Sequence, residues 1–173
     1  MANIQAYSSV VVTDYSDVGN LSLYLTSNQP TTVIHDPNQN TYTPNWSTSN
    51  LIITPVIAYN GNSVSLNATG LSVTFQRQEG SGTPVALTTG EVLSGNKLTV
   101  SANKLANVTS KLLTYICEVT YTDPDTNVPL TAQSTLTYNL VSNANELKYA
   151  SISGESAFLY DTNRNIVGSN YIT

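Results

Sequence analysis

A chain of 173 residues is long enough for one domain with attachments and can bury a real hydrophobic core. Only 10% of its residues are charged while 40% are apolar, so an uncharged polar surface covers an ordinary core and the disordered class is excluded. A net charge of -5, with 6 Lys plus Arg, leaves no cation cluster for a phosphate backbone, which excludes nucleic acid as a partner.

Threonine-rich alternating runs and 11 Tyr favour an all-β protein. The single cysteine cannot form an intrachain disulfide, so packing alone must stabilise the fold. The amino terminus, MANIQAYSSVVV, has no basic region followed by an apolar run and no stretch long enough to span a bilayer. The expectation is cytoplasmic synthesis without a signal peptide and without membrane insertion.

In chain order, residues 1–27 carry two candidate strands, 9–13 and 21–26, split by the turn-rich residues 14–20. In the second, Leu21, Leu23 and Leu25 alternate with Ser22 and Tyr24, and a lone hairpin of this size must pack on the sandwich or on a partner. This extension, 1–27, is read as attachment strands. A short strand at 31–35 leads into a turn at Asp36-Pro37-Asn38-Gln39-Asn40. Residues 51–59 suit a central strand in which Pro55 requires a bulge or an open edge. Asn60-Gly61 signals a tight turn. Leu71, Val73 and Phe75 alternate with Ser72, Thr74 and Gln76, and short edge strands follow at 85–87 and 91–93.

Leu98 and Val100 form a further strand. Ala102, Leu105 and Val108 then recur at helical spacing, which predicts a compact turn crossing between two sheets. In the next strand Leu113, Tyr115, Cys117, Val119 and Tyr121 share one face. A strand, a short crossover and Tyr115-x-Cys117 resemble the corner of immunoglobulin-like sandwiches. There the tyrosine hydroxyl bonds back to the corner backbone. Asp123 to Asn127 turns the chain into a last strand, 130–141, whose Leu136, Tyr138 and Leu140 point inward. Residues 28–141 make one sandwich and 142–150 a linker. Residues 158–167 repeat the pattern of 33–42, so 151–173 reads as the truncated start of a second module. The plainer reading is that Asx-rich turns look alike in any Asn-rich chain.

Reactive chemistry finds little support. Asp36/Asn38/Asn40, Asp123/Asp125/Asn127 and Asp161/Asn163/Asn165 present oxygens at alternate positions. None has the glycine and glutamate that an EF-hand calcium loop needs, so they read as turns, with a non-EF calcium site at Asp123 and Asp125 as the alternative. His35 is the only histidine, no GxSxG elbow surrounds a serine, and phosphate-binding glycine loops are missing. Cys117 on an inward face acts as a small apolar residue. No catalytic residue, metal site or cofactor is expected. Exposed aromatics remain: Trp46, Tyr42 and Tyr59 can stack on glycans or anchor a protein partner, against the alternative that Trp46 covers one end of the core.

The segments SLYLTSNQPTTVIHDPNQNTYTPNWSTSNLIITPVI, LSVTFQR and LLTYICEVTYTDPDT resemble bacterial-type immunoglobulin-like domains of tailed-phage tail, baseplate and fibre proteins of Gram-positive hosts. The chain departs from the family in lacking the first cysteine, and Phe75 stands where a tryptophan usually packs. The resemblance implies an all-β fold, an immunoglobulin-like antiparallel β-sandwich without disulfide. It would follow an amino-terminal β-hairpin extension and precede the start of a second similar module, with Tyr115, Cys117, Phe75 and Leu136 in the core. It further implies a non-enzymatic virion structural protein, exposed on the particle and present in multiple copies or as a homo-oligomer. Its partners would be other virion proteins and a host cell-surface glycan or protein. Capsid decoration and a bacterial cell-surface adhesion or carbohydrate-binding module are the alternatives.

Overall fold

Period-two alternation becomes strands wherever it occurs in residues 19–143, the part of the chain that the computed structural model describes. The expected strand at 9–13, the linker beyond Asn143, the repeat at 158–167 and the turn at Asp161 lie outside the described residues. Eleven strands form: β1 (Leu21–Ser27), β2 (Thr32–Asp36), β3 (Thr41–Thr43), β4 (Leu51–Tyr59), β5 (Asn62–Val64) and β6 (Leu71–Glu79), then β7 (Val85–Ala86), β8 (Glu91–Ser94), β9 (Lys97–Val100), β10 (Leu112–Thr122) and β11 (Pro129–Ser142). Among the described residues no helix is long and apolar enough to cross a membrane.

The first sheet has the order β1-β4-β9-β8, with β5 also paired to β4, and the second has the order β3-β2-β11-β10-β6-β7. Neighbours are antiparallel except β2 and β11, which run parallel from Thr32–Asn139 to His35–Ser142. This is an immunoglobulin-like sandwich: four strands in the A-B-E-D order face a G-F-C sheet, and the first strand region changes sheets between β1 and β2. The inward residues of both sheets form one core. Leu51, Ile53, Leu98, Val100, Leu113, Tyr115, Cys117 and Tyr138 have no exposed surface, and Val73 and Phe75 have 6%. Phe75 and Cys117 are register partners on β6 and β10, and Leu136, opposite Tyr115, is partly buried against this core.

The expected crossover between sheets is a 3-10 helix, Lys104–Asn107, leading from β9 in the first sheet to β10 in the second. It drives Leu105 and Val108 into the interior at 1% exposure each. Turns are built largely from asparagine: Asn40, Asn60, Asn96 and Asn127 all have positive φ, a region this side chain tolerates. Asn60-Gly61 (φ 49 and 79) and Gly95-Asn96 (φ 56 and 58) have positive φ at both central residues, the requirement of a type I′ hairpin turn.

One expectation is corrected. Residues 21–26 do not stand in an extension ahead of the sandwich, because β1 pairs along its whole length with β4, from Leu21–Tyr59 to Ser27–Ile53. Three alternating leucines on a strand bury themselves most readily against the existing core. Pro55 stands, as expected, at an open edge, though in the middle of the strand and without a bulge. On the side away from β1, β4 pairs with β9 only through Ile53 and with β5 only from Ile57, so Pro55 falls in a gap where no neighbour wants its missing N–H.

Trp46 is the largest fully buried side chain, 1% exposed, with its ring edge-on to Tyr138 at 5.2 Å. Trp46→Ala should therefore cost about 3–5 kcal/mol of unfolding free energy, the range for emptying a large aromatic site in a core. Urea denaturation followed by far-ultraviolet circular dichroism measures it. A loss below about 1 kcal/mol would mean that the ring contributes nothing to the packing.

Candidate contact surface

The aromatic residues expected to meet a partner are engaged within the domain. Trp46 cannot stack on a glycan, since its ring is enclosed and its backbone N–H donates to Asn103 Oδ1 at 2.8 Å. Its loop folds back because Asn45, Trp46 and Asn103 tie it to the residues before the 3-10 helix, with Asn103 Nδ2 donating to Asn45 Oδ1. Tyr42 is half-buried and stacks on His35, with centroids 4.5 Å apart and planes 18° apart. Tyr59 is half-buried too. Its hydroxyl donates to Asp123 Oδ2 at 2.8 Å and its ring lies 5.5 Å from that of Tyr121. Gly19 covers it so closely that a Cβ there would come within 2.1 Å of the ring.

The titratable groups singled out in the sequence are likewise committed to structure. His35 Nε2 and Asn40 Oδ1 are 3.2 Å apart, and Asp36 Oδ1 accepts from the backbone N–H groups of Asn38 and Gln39. Asp123, 5% exposed, accepts at Oδ1 from the N–H of Asp125 and at Oδ2 from the hydroxyls of Thr126 and Tyr59. These bonds, with the Asp125 N–H foremost, hold its carboxyl below the usual carboxylate range. The bond to Asp123 raises the Tyr59 phenol in turn. Burial pushes the Cys117 thiol up to about 12, which keeps it protonated at neutral pH. Among the described residues no three His, Cys, Asp or Glu side chains converge as metal ligands would.

One polar cluster was not foreseen. Glu91 on β8 has a side chain with no exposed surface, and it meets Arg77 and Tyr115 from the opposite sheet. The Tyr115 hydroxyl donates to Glu91 Oε1 at 2.7 Å, and Thr88 donates its N–H and hydroxyl to Oε2 at 2.7 and 2.8 Å. Arg77 places Nε 3.6 Å from Oε1 and uses its other nitrogens on Glu79 (2.6 Å) and Thr88 (3.0 Å). The tyrosine of the corner thus does not bond to corner backbone. A buried carboxylate accepts more strongly than a neutral carbonyl, and it takes the hydroxyl instead. Burial first, then the Glu91 charge, raises the Tyr115 phenol far above its usual range. Strand parity held the signal: Arg77 continues the inward row Val73, Phe75, and Glu91 shares parity with Leu93.

What stays open to a partner lies on the outer faces. On the first sheet Ser22, Tyr24 and Thr26 of β1 stand beside Ala58, Val56 and Thr54 of β4, while Ile52 aligns with Thr99 and Val92. None of these is charged, and Tyr24 is 59%, Val92 55% and Ile52 36% exposed. The second sheet carries a smaller apolar cluster, where Ile34 (45%) and Val141 (46%) are register partners near Leu112 (43%). A shallow groove on that same sheet, floored by Ile116 and rimmed by Gln76, Glu118 and Gln133, offers a single carboxylate among amides and apolar atoms. Surfaces of this kind suit contact with another protein surface.

Two measurements test the interior assignments. Tyr115→Phe should cost about 1.5–3 kcal/mol, because Glu91 loses a donor where water cannot replace it. Equilibrium denaturation gives the value, and an unchanged midpoint would mean that the bond contributes nothing. Asp123 has a folded pKa below its ordinary 3.8, so its contribution is complete above that value and disappears as the pH falls below it. The urea midpoint of Asp123→Asn should accordingly change less than that of the parent between pH 5 and pH 3. Equal acid slopes would contradict the assignment.

No family model matches the chain, and no curated protein and no solved structure matches it. The immunoglobulin-like sandwich is accordingly established by its own strand order and register.

Proposed function

We propose that the chain is a non-enzymatic structural component of a tailed-phage particle, an immunoglobulin-like module attached to tail, baseplate or fibre that carries further domains towards the host surface. Its work is contact, and its partners are other particle proteins, with a host-surface protein or glycan reached by the domains it carries. The observation that supports this most is the pair of exposed apolar patches, with Tyr24, Val92 and Ile52 on one sheet and Ile34, Val141 and Leu112 on the other. A domain with apolar patches on both outer faces is suited to having neighbours on two sides, as a component of an assembly has. The buried carboxylates Glu91 and Asp123 take their hydrogen bonds from donors inside the domain, which fits a scaffold.

The resemblance of SLYLTSNQPTTVIHDPNQNTYTPNWSTSNLIITPVI and LLTYICEVTYTDPDT to phage tail modules supplies the kind of particle. Mass spectrometry of purified particles, with tails separated from heads, is the test. Peptides of this chain should appear in the tail fraction at a level matching other multi-copy components. Recovery from heads alone would make it a capsid decoration, and absence from particles would end the proposal.

A further inference from the structure

Among the described residues the outer edge of β1 is a long strand edge with none of the usual protection. Among the described residues β1 has β4 as its only ladder partner, and it contributes seven residues without a charge, a proline or a bulge. The strands that end the other sheet paths are short, three residues in β3, two in β7 and four in β8, which begins with Glu91, while β11 ahead of Asn139 is laddered to β10 alone.

Backbone direction along this edge follows from one contact. The N–H of Asn28 donates to the carbonyl of Ile52, and the Ile52 N–H donates to Asn28 Oδ1. Even-numbered residues of β4 therefore turn their backbone groups towards β1, and Ser22–Ala58, Tyr24–Val56 and Thr26–Thr54 are the hydrogen-bonded pairs. The N–H and C=O groups of Leu21, Leu23, Leu25 and Ser27 then face outward from the sheet.

We propose that two copies of the chain join through this edge, β1 against β1 and antiparallel, on a two-fold axis at Tyr24. In that register Leu23 of one copy faces Leu25 of the other, and Leu21 faces Ser27. Every outward donor meets an outward acceptor, giving about eight backbone hydrogen bonds. The two Tyr24 residues occupy the non-hydrogen-bonded position, where opposing Cα atoms approach to about 4.5 Å and aromatic pairs are favoured. This accounts for a tyrosine left 59% exposed at the centre of an uncharged strand. The partly buried side chains of Leu21, Leu23 and Leu25 are covered further by their counterparts. The arrangement is isologous and closes at two copies. It goes beyond the proposed role in a particle and stands or falls separately from it.

Sedimentation of the full chain from about 1 to 100 µM tests it. The parent should shift towards twice the 18.5 kDa chain mass as concentration rises. Tyr24→Lys and Tyr24→Glu each place like charges across the axis and should raise the dissociation constant roughly tenfold or more. An equimolar mixture of the two variants should dimerise again, because opposite charges then face each other. Circular dichroism of each variant alone separates loss of association from loss of folding. Tyr24→Cys gives a second readout, since mild oxidation should crosslink it across the axis while the buried Cys117 stays unreactive. A parent that stays monomeric throughout, as when residues 9–13 of the same chain cover the edge, overturns the proposal. So does a dimer that Tyr24→Lys leaves intact, or a pair of variants that mixing fails to restore.

Discussion

A carboxylate sealed between two sheets is the constraint around which this domain closes. Glu91 belongs to the first sheet, Arg77 and Tyr115 to the second, and each buried group needs the others to be tolerable in a medium of low dielectric. Disulfide-bonded immunoglobulin domains join their sheets covalently, a link that stabilises typically by about 2–4 kcal/mol. Here Cys117 has no partner, and β4 offers Leu51, Ile53 and Ile57 in place of a cysteine. The polar cluster does not simply substitute for the missing energy, since a buried ion pair is often no better than well-packed apolar residues. What it adds is registration: slipping β8 by one residue would turn Glu91 to solvent and leave Arg77 and Tyr115 without their acceptor.

The same geometry explains which parts of the structure were legible beforehand. Alternation in 71–76 and 113–121 is a local signal, and it identified inward faces that became β6 and β10. The crossing at Ala102, Leu105 and Val108 was equally legible, because short apolar periodicity between two strands has few other uses. The partner of the Tyr115 hydroxyl was not, since it depends on a residue 24 positions earlier in sequence reaching across the core. Glutamate in Thr89-Gly90-Glu91 looks like an ordinary exposed turn residue until its strand parity is compared with Leu93. Trp46 was equally ambiguous. A loop tryptophan after Pro44 can be an anchor or a lid, and only the bonds to Asn103 decide the matter. The placement of β1 required knowing that β4 had an unpaired side, which no local pattern can express.

Few charges and many asparagines are two aspects of one design. Asparagine supplies the left-handed backbone at four hairpin or loop positions, where lysine or aspartate would otherwise have brought charge to the turns. The outer faces then consist mainly of Thr, Ser, Gln and scattered aliphatic groups. Threonine pairs across strands, such as Thr114 with Thr137 at 2.9 Å and Thr120 with Thr131 at 3.3 Å, knit these faces through hydroxyls instead of ion pairs. Such faces lose little on desolvation, since few ions have to be stripped of water before a neighbour can approach.

Solubility has to come from somewhere on so uncharged a molecule. The net charge of -5 provides a weak mutual repulsion, too diffuse to guard any one strand edge beyond a Debye length of about 8 Å in physiological salt. Edge protection is therefore geometric on three sides, where β3, β7 and β8 are too short to template another strand. β1 is long, regular and neutral, and the physics that makes open edges a hazard makes this one a docking element if its contact is closed and specific. An edge whose fullest self-complementary register centres on a single tyrosine meets that condition, because pairing there saturates it and leaves nothing for a third chain to extend.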